Sequence, residues 1–337
     1  MSFSLQQLKE LVVEKPPELH PAWAKVEEEL KRSKPSNAQP LSPLERQPIY
    51  AQECRELLAK VTAPGSRDQS LSQGVLRTEF TIPSSADGFP IPVLQLEKVE
   101  NHGLAPEAIV VYYHGGGLHV GEADSEEFSC RRIIKSTQSR IRLYSIGYRL
   151  MPTYPASVCV SDALDGFRAV SSKDVKNIVI GSSSGGQLAA TVCQTVTKDS
   201  VHGLLLRCPV TCDPAEEKKY VPQWLRPFHT TYDTSFVTFL FQLLKRAVPR
   251  DGLKSLPLEA TKEELAGYPR TWIQLCTNDS LYSDGLCHAM ALVDAGVEVR
   301  GHVLQGWPHT FWLKVPDMEE AFEADQSMME GLEWLLL

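Results

Sequence analysis

Residues 177–193 read NIVIGSSSGGQLAATVC, and the reading of the whole fold starts there. Ile178-Val179-Ile180 has the makeup of a buried strand, and Leu188-Ala189-Ala190-Thr191-Val192 that of a helix. Between them stands Gly181-Ser182-Ser183-Ser184-Gly185, a G-x-S-x-G. Composition alone yields ~0.1 such matches in a chain of this kind, so the motif is weak until its flanks are counted. A serine on a strand-to-helix turn is forced into strained backbone geometry, and its neighbours must be tiny for strand and helix to cross. Gly181, Gly185 and Gly186 meet that need. The turn would lift the Ser183 hydroxyl clear of a sheet, with the next amide and the helix N-terminus offering donors to an anion. A serine-rich helix cap would use the same letters, with Ser182 or Ser184 as the capping residue.

Outward from this turn the chain alternates. Residues 108–113, 141–146, 177–180, 203–206, 271–275 and 297–304 read as strands, and residues 125–136, 157–170, 185–196, 282–295 and 318–337 as helices. LRTEFTI and IPVLQLEKV, joined by the turn SSADGFP, add an antiparallel pair from about residue 75. Such alternation predicts an α/β protein with a mostly parallel sheet covered on both faces. Residues 1–62 read as helices. Leu5, Leu8, Leu11 and Val12 share one face, Trp23, Val26 and Leu30 another, and a third helix is expected from about Pro48 to Val61. Residues 211–268 interrupt the rhythm. There Phe236, Phe239, Leu240, Leu243, Leu244 and Ala247 form an apolar stripe that suits either a lid helix or one completing the core. The expected division is therefore 1–62 as helices contributing to a cap, 63–210 with 269–337 as the core, and 211–268 as a cap insertion.

Composition narrows the function classes. The 337 residues carry 34 basic and 42 acidic side chains, net −8, which argues against a nucleic-acid surface. No run approaches 18 apolar residues, so no membrane span is expected. The stretch MSFSLQQLKELVVEKPP lacks the basic start and apolar block of a secretory signal. The eight cysteines are then expected to be reduced thiols, and the location cytoplasmic. Cys208-x3-Cys212 has no matching histidine pair for zinc, and no phosphate-cradling loop or dinucleotide fingerprint appears, so neither metal nor cofactor is expected.

His114-Gly115-Gly116-Gly117 directly follows the apolar run at 108–113, at a chance expectation of ~0.002. Three glycines in a row are entropically costly in a plain turn, but they let backbone amides face a substrate oxygen. His114 reads as a tether for this loop. A serine nucleophile needs a base, and the base an orienting acid. His309, in the loop after the last strand, falls on the same sheet edge as Ser183. His302 lies within that strand, packing or facing solvent, His288 falls on a helix, and His20 and His102 fall in peripheral segments. For the acid, Asp279 directly follows a strand, whereas Asp284 reads as the start or cap of the next helix. The strand-edge argument favours Asp279.

With these elements in view, residues 75–337 resemble the hormone-sensitive-lipase-like branch of the α/β-hydrolase superfamily. Glycine loop, serine turn, acid and histidine come in that family's order and at similar spacing. Tyr148-Arg149-Leu150-Met151-Pro152, Pro155-Ala156 and Asp162-Ala163 are similar to further family text. The resemblance implies an eight-stranded, mostly parallel sheet flanked by helices, with a helical cap. It also implies Ser183 as nucleophile, Asp279 as acid, His309 as base and an oxyanion hole from the amides of Gly116, Gly117 and Ser184. The family usually carries an acidic residue before the nucleophile and an alanine after it, where this chain has Ser182 and Ser184. Leu118-His119 stands where an aromatic is common, with His119 expected to face solvent in a loop. The implied activity is hydrolysis of small carboxylic esters through an acyl-enzyme. Rival readings are a biosynthetic acyltransferase or hydrolase-like cyclase acting on a small natural product, and a non-catalytic receptor, against which the intact His309 speaks.

Overall fold

A computed structural model describes residues 2–33, 41–213, 218–231 and 249–337. The strands are β1 (Val75–Pro83), β2 (Pro90–Lys98), β3 (Ala108–Tyr113), β4 (Ile141–Ile146), β5 (Lys176–Ser182), β6 (Gly203–Arg207), β7 (Arg270–Asn278) and β8 (Val299–Pro308). They form one sheet in the order β1-β2-β4-β3-β5-β6-β7-β8. The β1–β2 and β2–β4 pairings are antiparallel, and every pairing from β4 to β8 is parallel. The helices are α1 (Leu5–Glu10), α2 (Pro21–Ser33), α3 (Pro43–Val61), α4 (Glu127–Ser136), α5 (Ala156–Val170), α6 (Ser184–Thr195), α7 (Lys262–Leu265), α8 (Tyr282–Asp294), α9 (Phe311–Lys314) and α10 (Glu319–Leu336).

The unbroken apolar run of β3 has its reason in the two faces it separates. Ile109, Val111 and Tyr113 point to one core, shared with α5, α6 and α8. Ala108, Val110 and Tyr112 point to the other, shared with α4 and α10. A strand buried on both sides favours apolar residues at every position, whereas β1, at the sheet edge, leaves most of its residues exposed. Because the central strands are parallel, the loops at their C-terminal ends converge on one edge, where ligand sites of open α/β sheets form.

Several expectations need correcting. The third helix begins at Pro43, five residues before Pro48, which sits inside it. Its start is set by a capping box: the Ser42 hydroxyl accepts from the Glu45 amide, while the Glu45 carboxylate accepts from the Ser42 amide. The final strand starts at Val299 rather than residue 297 and continues to Pro308, and α4 starts at Glu127 rather than residue 125. His20 is not peripheral, since its ring stacks on Trp307 at 4.4 Å. The apolar stripe from Phe236 to Ala247 lies outside the described residues. The eight cysteines are free thiols, seven of them buried.

Candidate active site

Ser183 sits between β5 and α6 with φ 52° and ψ −120°, a positive φ that a serine adopts only under constraint. The constraint comes from both sides. Its amide donates to the Arg207 carbonyl at 2.9 Å, and its carbonyl accepts from the Val210 amide at 3.0 Å. Strand and helix cross so closely that a Cβ on Gly185 would lie 2.0 Å from the Tyr113 carbonyl oxygen, and one on Gly181 2.1 Å from that of Gly185. Only glycine fits at either position.

His309 directly follows β8. The loop that carries it is held by aromatic packing, with Trp307 stacked on Phe311 at 4.0 Å, and by the Gly306 amide donating to Thr277 Oγ1 at 2.8 Å. Its Nε2 lies 2.9 Å from Ser183 Oγ, and its Nδ1 lies 2.6 Å from Asp279 Oδ2. Asp279, directly after β7, is 2% exposed, and its other oxygen accepts from the Leu281 amide. Burial works against the imidazolium of His309, but the Asp279 carboxylate and, after it, the Cys208 sulfur together outweigh it and raise the pKa above the ordinary 6.5. Asp284 lies elsewhere. In the first turn of α8 it accepts from the Thr211 and Cys212 amides and contacts His229 Nε2 at 2.9 Å, so it pins the segment after β6 and has no contact with His309.

The glycine loop faces Ser183 across the pocket. Gly116 has φ +116°, and a Cβ there would lie 2.1 Å from the Val120 carbonyl oxygen. Among the described residues, the Gly116 and Gly117 amides have no acceptor within the chain. Ser184 opens α6, and its hydroxyl accepts from the Leu118 amide at 3.2 Å, tying loop to helix. His114 is fully buried. It stacks on Tyr148 at 4.3 Å, and its Nδ1 donates to the Gly115 carbonyl at 2.7 Å. Burial holds its pKa below the ordinary value, which suits a neutral tether. His119 departs from expectation. It is 9% exposed and lines the pocket with Ser183, because the tight loop turns its side chain inward.

This pocket has a volume of about 400 Å³. The three glycines, Ser183 and His309 make its floor, and Leu41, Pro43, Arg46 and Tyr50 cover it from the segment containing α3. Leu8 and Trp23 are not among its walls and pack instead into the core clusters. A larger cleft of about 680 Å³, between the β1–β2 pair and residues 147–154, contains none of Ser183, Asp279 and His309.

Three features of the site escaped the sequence reading. Gln47 on α3 donates to the carbonyls of His119 and Met151, joining that helix to the glycine loop. Glu126 lies beside Gly115 and accepts from its amide. Cys208, buried at the end of β6, has its sulfur within 4.8 Å of donor atoms of both Asp279 and His309. Those three form the only such cluster of potential metal ligands among the described residues. Asp279 and His309 are already bonded to each other, so the set reads as part of the serine site.

Residues 110–313 match the family described as alpha/beta hydrolase fold. Among curated relatives, the FAD-linked oxidoreductase pytB of Aspergillus terreus is 28% identical over 244 residues, 68% of this chain but 29% of that protein. The chain thus spans under a third of the length of that relative. A versiconal hemiacetal acetate esterase of Dothistroma septosporum is 26% identical over 249 residues, covering 68% of this chain and 74% of the relative. The crystal structure of vibralactone cyclase aligns over 97% of both chains with a TM-score of 0.75 and 22% identity, a likeness of fold. The chain belongs to the α/β-hydrolase fold family, in its hormone-sensitive-lipase-like branch.

Proposed function

We propose that the protein is a serine esterase that hydrolyses small carboxylic esters through an acyl-enzyme. The observation that carries this reading is the unbroken line from Ser183 Oγ through both nitrogens of His309 to the Asp279 carboxylate, at 2.9 and 2.6 Å. Nδ1 donates to Asp279, which leaves Nε2 to accept the Ser183 proton as Oγ attacks the ester carbonyl. Asp279 stabilises the imidazolium that forms. The negative charge on the carbonyl oxygen is held by the amides of Gly116, Gly117 and Ser184, the last at the N-terminus of α6. His309 then protonates the departing alcohol, and a water molecule repeats the sequence on the acyl group.

The pocket suits a soluble ester, since about 400 Å³ falls at the lower end of small-molecule sites. The esterase from Dothistroma septosporum, whose name specifies an acetate ester, supports a short acyl group on a larger alcohol. Kinetics with p-nitrophenyl acetate test the reading. Ser183→Ala is expected to lower hydrolysis by at least about 10³-fold with the fold intact. If Ser182→Ala or Ser184→Ala shows that loss and Ser183→Ala does not, the nucleophile is misassigned. Product analysis with an added alcohol separates hydrolysis from the rival acyl transfer, which would give the new ester as the main product.

A further inference from the structure

Beside the glycine loop, among the residues that line the pocket, lies a buried carboxylate that the reaction above does not use. Glu126, the residue preceding α4, is 3% exposed, and three donors from three different segments converge on its side chain. The Gly115 amide donates to Oε1 at 2.6 Å. The Ser182 hydroxyl, one residue before Ser183, donates across both oxygens at 2.6 and 2.9 Å. The Tyr112 hydroxyl at the end of β3 donates to Oε2 at 2.5 Å. One group therefore joins the glycine loop, the serine turn and the central strand. The Gly115 peptide leads directly into Gly116, and Ser182 directly into Ser183.

We infer that Glu126, through Ser182, is a positioning residue that sets the distance between the oxyanion donors and the nucleophile. The inference rests on the esterase reading above. Its physical ground is the cost of misalignment. The loop bearing Gly116 and Gly117 has no strand or helix of its own to hold it, and a displacement of about 1 Å between nucleophile and oxyanion donors can cost about 10²-fold in rate. A carboxylate accepting from both sides fixes that distance, and charge-assisted hydrogen bonds are the strong ones. The carboxylate is also the reason a serine serves before the nucleophile: Ser182 needs only a donor, because the acceptor comes from residue 126.

The test compares wild type, Glu126→Gln, Ser182→Ala and the double variant Glu126→Gln/Ser182→Asp, with kcat and KM measured separately on p-nitrophenyl acetate. Expected are losses of about 10–100-fold in kcat for Glu126→Gln and Ser182→Ala, with KM within about threefold of wild type. The double variant, which moves the carboxylate to the other partner, is expected to recover at least about fivefold over Glu126→Gln. A role in fold stability alone would lower the melting temperature and leave kcat of the folded fraction unchanged, and that result overturns the inference. So does a rise in KM at constant kcat, or a double variant no faster than the single one. If Glu126→Gln does not fold, Ser182→Ala decides, since it removes one hydroxyl and no charge. A wild type without ester hydrolysis would sink the esterase reading itself, whereas an active wild type with an equally active Glu126→Gln would sink only this inference.

Discussion

At the scale of single residues, the two candidate acids illustrate how environment assigns roles. Asp279 and Asp284 are five residues apart and both almost fully buried, yet one contacts His309 and the other pins the backbone of Thr211 and Cys212. Asp279→Asn is expected to cost on the order of 10³–10⁴-fold in kcat, because the asparagine favours the wrong imidazole tautomer. Asp284→Asn should leave kcat nearly intact and instead destabilise the fold by about 1–3 kcal/mol, as hydrogen bonds in a buried site are lost. Thermal melting and steady-state kinetics on both variants separate the two, and reversed rankings would refute the assignment. The pH profile follows from the same contact. As the proposed base, His309 can accept a proton only when neutral, and Asp279 favours the protonated form, so kcat/KM should fall with acid at a midpoint above the ordinary 6.5. Residual activity in Asp279→Asn should show that midpoint moved to lower pH.

Among elements, α3 bears most directly on access to the site. Pro43, Arg46 and Tyr50 face the pocket, and the single side chain of Gln47 latches the helix to the His119 and Met151 carbonyls at 2.9 and 3.0 Å. Gln47→Ala removes both of these hydrogen bonds, a cost of about 1–2 kcal/mol. If the latch holds α3 over the bound ester, kcat/KM should drop about 5–30-fold. A value within twofold of wild type would mean that α3 covers the pocket without depending on this contact. The same helix shows where sequence reading stops. Pro48 looked like a first helical residue, since proline favours that position. The capping box of Ser42 and Glu45 outweighed it, with Pro43 taking the first position. The contacts of Gln47, Glu126, His20 and Cys208 were hidden for a different reason. Each contacts residues far away in sequence, and no local period or spacing encodes such a meeting. The strand-edge placement of Ser183, His309 and Asp279 was readable because all three follow parallel strands directly, where topology alone brings loop residues together.

For the whole molecule, the alternation of apolar strands with helices announced the α/β class, because burial on both faces makes β3 an unbroken apolar run and keeps the centre of β5, Ile178-Val179-Ile180, apolar. The order of strands was not readable, since the placement of β4 outside β3 depends on which face each connecting helix covers. The assembled pocket sets an upper bound on substrate size. Each methylene that fits should add about 0.8 kcal/mol of transition-state binding, until the wall formed by Leu41 and Tyr50 is met and strain removes the gain. A series of p-nitrophenyl esters should therefore give a peak of kcat/KM at short to medium acyl chains, and steady improvement up to long chains would show the pocket to be open. Whether Ser183 is the nucleophile is decided by reaction with a fluorophosphonate, followed by intact mass and peptide mapping. One adduct per chain is expected, on Ser183 in the peptide containing Gly181–Gly185, abolished in His309→Ala. An adduct on Ser182 or Ser184, or labelling that survives loss of His309 at the same rate, would contradict that assignment.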